Sequence, residues 1–195
     1  MNLSEIKQNL ISLGFGEESD IEEYDALGYV NDSINRAISI IGNSFPYIAK
    51  SEVTFSNEDS GIAYVDMSEN VGFLDFATET PVMYEKAGEN IFKRFNDYDI
   101  EMDTIVVIDS TNLNGSIRIY YEKQCTQITD ETQADFVPEI PLKAHHLIPL
   151  LAAYYLWLDD DQVKATQYYN MYENELSMLL QKAQRPRMRI LDGGL

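Results

Sequence analysis

Residues 141–176 read PLKAHHLIPLLAAYYLWLDDDQVKATQYYNMYENEL, and the reading of this stretch decides the fold. It holds two helical periods separated by three aspartates. The first helix is expected to begin after Pro141, a good first-turn residue, and to run through the apolar stretch Leu147 to Leu158. Asp159, Asp160 and Asp161 interrupt it. The second carries Ala165, Tyr168, Tyr172, Leu176 and Leu179 at spacings of three and four, which puts them on one face. It is expected to end before Pro186, because the residue preceding a proline is pushed out of the helical region.

Toward the N-terminus the same period appears twice more. Leu3, Ile6, Leu10 and Leu13 share a face. Asn2 with Glu5 three residues on has the form of a capping box, and Gly14 is a stop signal. After a loop GFGEESD, Leu27, Val30, Ile34, Ile38 and Ile41 define a longer helix, which Gly42-Asn43 and Phe45-Pro46 close. Between about Ser51 and Thr126 the period changes. SEVTFS, GIAYVDM, TPVMYEK, DTIVVIDS and GSIRIYYEK alternate or run short and β-branched, with turn residues at Asn57-Glu58-Asp59 and Asn112 to Gly115. Four to six antiparallel strands are expected, with Tyr64, Val65, Val82, Val107, Ile117 and Ile119 in their core.

The order is therefore helix, helix, β unit, helix, helix, tail. The expected architecture is α+β: a helical bundle formed by the N- and C-terminal helices, with a small antiparallel β insertion and an extended C-terminal tail. The boundaries are 1–46 for the first helices, 47–127 for the β insertion, 128–183 for the closing helices and 184–195 for the tail.

The chain has 195 residues, of which 45% are hydrophobic and 24% charged, ordinary values for a globular protein. Its net charge of −19 is not ordinary. Such a surplus repels nucleic acid and anionic membranes, so gripping DNA by charge is excluded as a simple function. Cys125 is the only cysteine. No intramolecular disulfide is possible, which fits a reducing compartment. The N-terminus lacks a signal-peptide pattern. The apolar run Leu147 to Leu158, interrupted by Pro149, is shorter than the ~20 residues a membrane span needs.

Catalytic and metal chemistry find little support. The aspartates 159–161 resemble a carboxylate cluster, but no spaced ligands follow, and Asp160 or Asp161 is better read as a helix cap. His145 and His146 point about 100° apart on a helix and cannot share one ion. Each is read as a surface residue or a polar contact. Cys125 lies in no nucleophile motif and reads as a buried or half-buried thiol. Acid pairs such as Glu22-Glu23 and Asp97/Asp99 read as solvated faces. No catalytic residue, metal site or cofactor is expected. The tyrosines are a different signal. Tyr155, Tyr169 and Tyr172 crowd the last helices, where some must be core; those off the main face suit a subunit interface, and scattered surface is the competing reading.

The chain closes on QKAQRPRMRILDGGL. From Lys182 onward four basic residues face one acid, a net +3, which leaves −22 on residues 1–181. Arg185, Arg187 and Arg189 alternate with Pro186, Met188 and Ile190, and Leu191 and Leu195 add apolar anchors. An extended segment would project its arginines to one side. That pattern fits a peptide laid into a partner's groove. A disordered end, a fold-back onto the acidic body and a nucleic-acid contact are the other readings.

The order of these pieces resembles the head–tail adaptor (connector) proteins of tailed bacteriophages. The residues that carry the resemblance are YVNDSINRAI (29–38), the strand IRIYYEK (117–123) and the run from Thr129 to Leu176, TDETQADFVPEIPLKAHHLIPLLAAYYLWLDDDQVKATQYYNMYENEL. The last looks like the family's proline-led entry, histidine-bearing alanine-rich helix, short acidic break and Tyr-Glu-containing final helix. The resemblance implies a structural, non-enzymatic virion protein in the head–tail neck, assembled in the host cytoplasm. It implies a ring, typically of twelve copies, beneath the portal protein, with tail or neck proteins below and genomic DNA passing through without specific binding. Carried onto this sequence, Arg185, Arg187, Met188, Arg189, Ile190, Leu191 and Leu195 become the portal-docking tail. An acidic channel lining would let phosphates slide past. Other virion rings, the stopper and the tail terminator, are the nearest rivals and are expected to be mostly β. A metal-dependent enzyme using Asp159–Asp161 with His145 or His146, and an acidic mimic of DNA, come from other classes.

Overall fold

The computed structural model describes residues 1–14, 28–56, 61–77, 81–111 and 113–184. Among them are four α-helices: α1 (Leu3–Ser12), α2 (Tyr29–Ser44), α3 (Leu147–Trp157) and α4 (Gln162–Gln184). Eight strands lie between α2 and α3: β1 (Tyr47–Phe55), β2 (Ile62–Asp66), β3 (Phe73–Phe76), β4 (Val82–Lys86), β5 (Lys93–Arg94), β6 (Tyr98–Glu101), β7 (Ile105–Asp109) and β8 (Gly115–Lys123). They form two antiparallel sheets, one ordered β1-β8-β4-β5 with β3 also on β8, the other β2-β7-β6. The expectation of a helical bundle with a small β insertion is thereby overturned. Helices and antiparallel strands are both present, but the fold is rich in sheet. The five segments expected as strands are strands, and three further ones, FLDF, KR and YDIE, join them through backbone pairing. The tail, residues 185–195, lies outside the described residues, as does the loop GFGEESD apart from Gly14.

The chain divides into two compact units, Met1–Ile41 with Gln127–Leu195, and Gly42–Thr126. In the first, α1 begins as its sequence dictates: the Asn2 side chain accepts from the Glu5 N–H at 2.8 Å, and the Glu5 carboxylate accepts from the Asn2 N–H at 2.9 Å. Two further first-turn donors, the N–H groups of Leu3 and Ser4, reach the carbonyls of Phe136 and Ala134, so the helix start is satisfied without solvent. Leu3, Ile6 and Leu10 are buried. Helix α3 is apolar on all sides at its start, and every residue from Leu147 to Ala153 is buried, the pattern of a central helix. Pro149 sits in its first turn, where its missing N–H costs nothing. The chain enters α3 from Pro141 through a 3-10 turn, Leu142–Ala144, so the helix starts at Leu147 rather than directly after the proline. Asp161 caps α4, accepting from the N–H groups of Val163 and Lys164 at 3.0 and 3.1 Å. The Tyr168 hydroxyl donates to the Leu13 carbonyl and ties α4 to the end of α1.

In the second unit β8 is the organising strand. Its burial alternates residue by residue, with Gly115, Ile117, Ile119 and Tyr121 inward. It pairs along its full length with β1 and, on its other side, with β4 and then β3. The two sheets share one core: Phe55, Phe76, Val82, Ile117, Ile119 and Tyr121 meet Met67, Val106 and Ile108. Of the expected core residues, Val82, Ile117 and Ile119 are buried, whereas Tyr64 is 63% exposed. Tyr64 pairs with Val107, and the alternation of β2 places both on the outward side of its sheet.

Candidate functional site

The residues that sequence reading singled out are distributed rather than convergent. Among the described residues no group of three or more His, Cys, Asp and Glu side chains is placed to hold a metal ion. Asp161 is the cap of α4, and Asp159 and Asp160 are exposed beside it. His145 is a buried polar contact. It is 3% exposed, and its Nε2 donates to the Ile140 carbonyl at 2.8 Å. His146 is exposed, with its Nε2 3.6 Å from the Glu175 carboxylate. Cys125 is buried. No described helix is long and apolar enough to cross a membrane.

The tyrosines do gather. On α3 and α4, Tyr154 lies 4.9 Å from Tyr155 and 5.1 Å from Tyr169 between ring centroids, and Tyr169 lies 6.0 Å from Tyr172. The Arg36 guanidinium of α2 sits 4.2 Å over the Tyr155 ring. The ladder is graded in exposure: Tyr172 is buried, Tyr155 is half-buried and Tyr169 is 40% exposed. Tyr172 belongs to its own core, and Tyr169 presents the ladder to solvent. Burial, with the Glu173 carboxylate nearby, pushes the Tyr172 phenol up to about 12. The Glu173 carboxylate beside Tyr169 raises that phenol as well.

The Tyr172 shift has a definite sign. The unfolded phenol ionises near its ordinary value of ~10, while the folded one keeps its proton to about 12. The stability tied to Tyr172 is therefore complete below pH ~10 and is lost as pH rises through 12. Tyr172→Phe is expected to remove part of this alkaline loss. Urea midpoints of both proteins at pH 9 and pH 11 check it: the gap between them should shift in favour of the variant at the higher pH.

Two asparagines escaped the sequence reading. Asn35 of α2 donates through Nδ2 to the Ile128 carbonyl at 2.8 Å and accepts from the Ile128 N–H at 2.7 Å. One turn earlier, Asn31 donates to the Asp130 carboxylate at 3.1 Å. An i, i+4 pair on one helix face thus holds the returning segment 128–130. The signal was present as N-x-x-x-N within YVNDSINRAI, but asparagine in a helix reads as a breaker or surface residue until its partner is seen.

On the second unit, the outer face of the larger sheet is built around Arg118. Its Nε donates to Glu52 at 2.6 Å, it reaches the Tyr120 hydroxyl at 3.3 Å, and its guanidinium lies 3.8 Å over the Phe92 ring. The Arg118 hydrogen bond, with Lys50 at 3.2 Å, holds the Glu52 carboxyl below its ordinary range. The outer face of the smaller sheet is different: Ile62 and Tyr64 are each 63% exposed.

The class these features define is an α+β protein of two compact units whose prominent surfaces are aromatic and charged contact faces. The chain matches the family model described as SU10 adaptor protein over residues 1–191, and it belongs to that family. No curated relative matches it. The resemblance to phage head–tail adaptors is thereby borne out: the protein is a phage adaptor and a virion component, from a family of structural adaptors rather than enzymes. The expected docking residues Arg185, Arg187, Met188, Arg189, Ile190, Leu191 and Leu195 lie outside the described residues.

Proposed function

We propose that this chain forms a homo-oligomeric ring beneath the portal, of twelve copies as in the adaptors it resembles, and joins the portal to the tail or neck proteins below. The family match over residues 1–191 supports the adaptor role. The charge division within the chain carries the more specific reading: a cationic, apolar-anchored segment follows a body of −22. In this reading Arg185 to Leu195 docks on the portal, the arginines against acidic groups and Met188, Ile190, Leu191 and Leu195 against apolar ones. Part of the acidic body lines the channel, where it repels phosphates and lets the genome pass. Tyr169, with Tyr155 beside it and Tyr172 buttressing it from below, contributes to the contact between copies.

Co-sedimentation with portal rings of the same virus tests the docking. The full chain should pellet with the portal at low salt and release as salt is raised. A chain ending at Gln184, which keeps α4 whole, should lose at least about tenfold in affinity, the order expected when several interface arginines and apolar anchors go together. Equal binding by both would remove the docking role from residues 185–195. Absence of binding by both, with folding verified, would remove the portal contact itself and favour a stopper or terminator.

A further inference from the structure

The smaller sheet has an open edge at β6. It pairs with β7 on one side only, and among the described residues no strand covers the other. The sequence around it, DYDIE (97–101), alternates strictly. Tyr98 and Ile100 pair with Ile108 and Val106, both fully buried, and so face the core side. Asp97, Asp99 and Glu101 face the other side and are exposed. Ile100 faces the core side yet is 43% exposed, and among the described residues no strand lies beyond β6 to cover it. Among the described cations, Lys50 and Arg118 are engaged on Glu52 and Lys93 on Glu89, while Arg94, three residues before Asp97, is exposed. An edge strand studded with carboxylates resists pairing with another acidic strand. It selects a strand whose alternate residues are cations and whose remaining residues are apolar.

This chain contains one such segment. Eleven residues follow Gln184, and among them RPRMRIL (185–191) has arginines at every second position with Pro186, Met188 and Ile190 between. Alternate side chains repeat at the same ~6.4–6.8 Å in any two strands. The arginines therefore stay in step with Asp97, Asp99 and Glu101, while Met188 and Ile190 stay in step with Tyr98 and Ile100. Pro186, which lacks an N–H, falls at the start of the added strand, where proline is tolerated. We infer that β6 accepts residues 185–191 of a second copy of this chain as an added edge strand. Donor segment and acceptor edge are different surfaces, so the contact is head-to-tail, and it joins copies whose segment is not docked on the portal. The portal's claim on the segment rests on the proposed function; the strand addition itself does not. One segment cannot occupy two places, so the portal and β6 compete for it.

The test uses full-length protein without portal. Sedimentation velocity of the wild type should show association that rises with concentration and weakens with salt. The double variant Asp99→Lys/Glu101→Lys should associate about tenfold more weakly, two attractive cross-strand pairs having become repulsive. The direction is diagnostic, because the same change reduces the magnitude of the net negative charge and would strengthen any non-specific association. Arg187→Glu/Arg189→Glu should weaken association similarly, and all four changes in one chain should restore it to within about threefold. An equimolar mixture of the two double variants should form heterodimers, which donation within one chain cannot produce. Hydrogen exchange at Tyr98–Glu101 should slow as the wild type associates. A wild type that stays monomeric at every concentration and salt overturns the inference. So does association that ignores the β6 charges, a quadruple variant that is not rescued, a mixture that forms no heterodimers, or exchange at β6 that does not change.

Discussion

Gly115→Ala is expected to destabilise the second unit by about 3–5 kcal/mol, at the upper end of single-residue effects. Gly115 opens β8 and is buried between two partners, paired with Phe55 of β1 and Lys86 of β4. Its φ is +151°, a backbone conformation that side chains rarely adopt. A Cβ there would lie 2.0 Å from the Glu85 carbonyl oxygen and 2.9 Å from the Ala87 nitrogen. Neither obstacle is a side chain that can swing aside. Relief requires β4 to move off β8, and β8 carries Ile117, Ile119 and Tyr121 into the shared core. Gly88→Ala separates the two contributions. Gly88 has a φ of +86°, but nothing lies within 4 Å of its Cβ position. It should cost only the dihedral penalty, about 1–2 kcal/mol. Urea unfolding of both variants measures the difference. Equal losses would show that the close approach of β4 contributes nothing and that dihedral strain alone accounts for the effect.

Residues whose partners are near in sequence declared themselves. The Asn2–Glu5 box, the buried face of Leu3, Ile6 and Leu10, the Asp161 cap and the alternation of GSIRIYYEK all appear as read. What escaped depends on partners far along the chain. FLDF becomes a strand because β8 offers it a free side past the end of β4, and YDIE because β7 pairs with it. FLDF is only four residues long and YDIE has a single aliphatic residue, so neither marks a strand in isolation. Tyr64 was assigned to the core on hydrophobicity, yet period two puts it with Ile62 and Asp66 on the exposed side of β2. The bundle failed for a related reason. Helices at both ends of a chain suggest one shared apolar interior, but the middle segment folds as a sheet-rich unit around its own nine-residue cluster, from Phe55 to Tyr121. The adaptor function was legible through the resemblance carried by Tyr29–Ile38 and Thr129–Leu176. Periodicity and composition alone reached only an acidic α+β protein.

Asn35→Asp is expected to cost the first unit about 2 kcal/mol at neutral pH, the scale of leaving half-buried polar groups opposed. The asparagine amide serves both halves of one peptide-bearing residue, donating to the Ile128 carbonyl and accepting from the Ile128 N–H. A carboxylate keeps the acceptor and replaces the donor with a second oxygen facing a carbonyl 2.8 Å away. Asn35→Ala loses both bonds but introduces no repulsion, so it should cost less than the aspartate at pH 7. Acid distinguishes the two variants. Opposition by the carbonyl raises the folded-state pKa of the new carboxyl above its unfolded value of ~3.9. A raised pKa means that the folded state is favoured by protonation, so the deficit of Asn35→Asp should shrink as pH falls toward 4, when the acid can again donate to Ile128. Asn35→Ala has no such group, and its deficit should not follow that change. Denaturation midpoints of both variants and the wild type between pH 7 and pH 4 measure this. A deficit for the aspartate that ignores pH would mean that Asn35 acts through the fit of its side chain rather than through its two hydrogen bonds. Recovery in acid would identify that pair of bonds as the clamp that fastens α2 to Ile128, at the entry to the run from Thr129 where the adaptor resemblance resides.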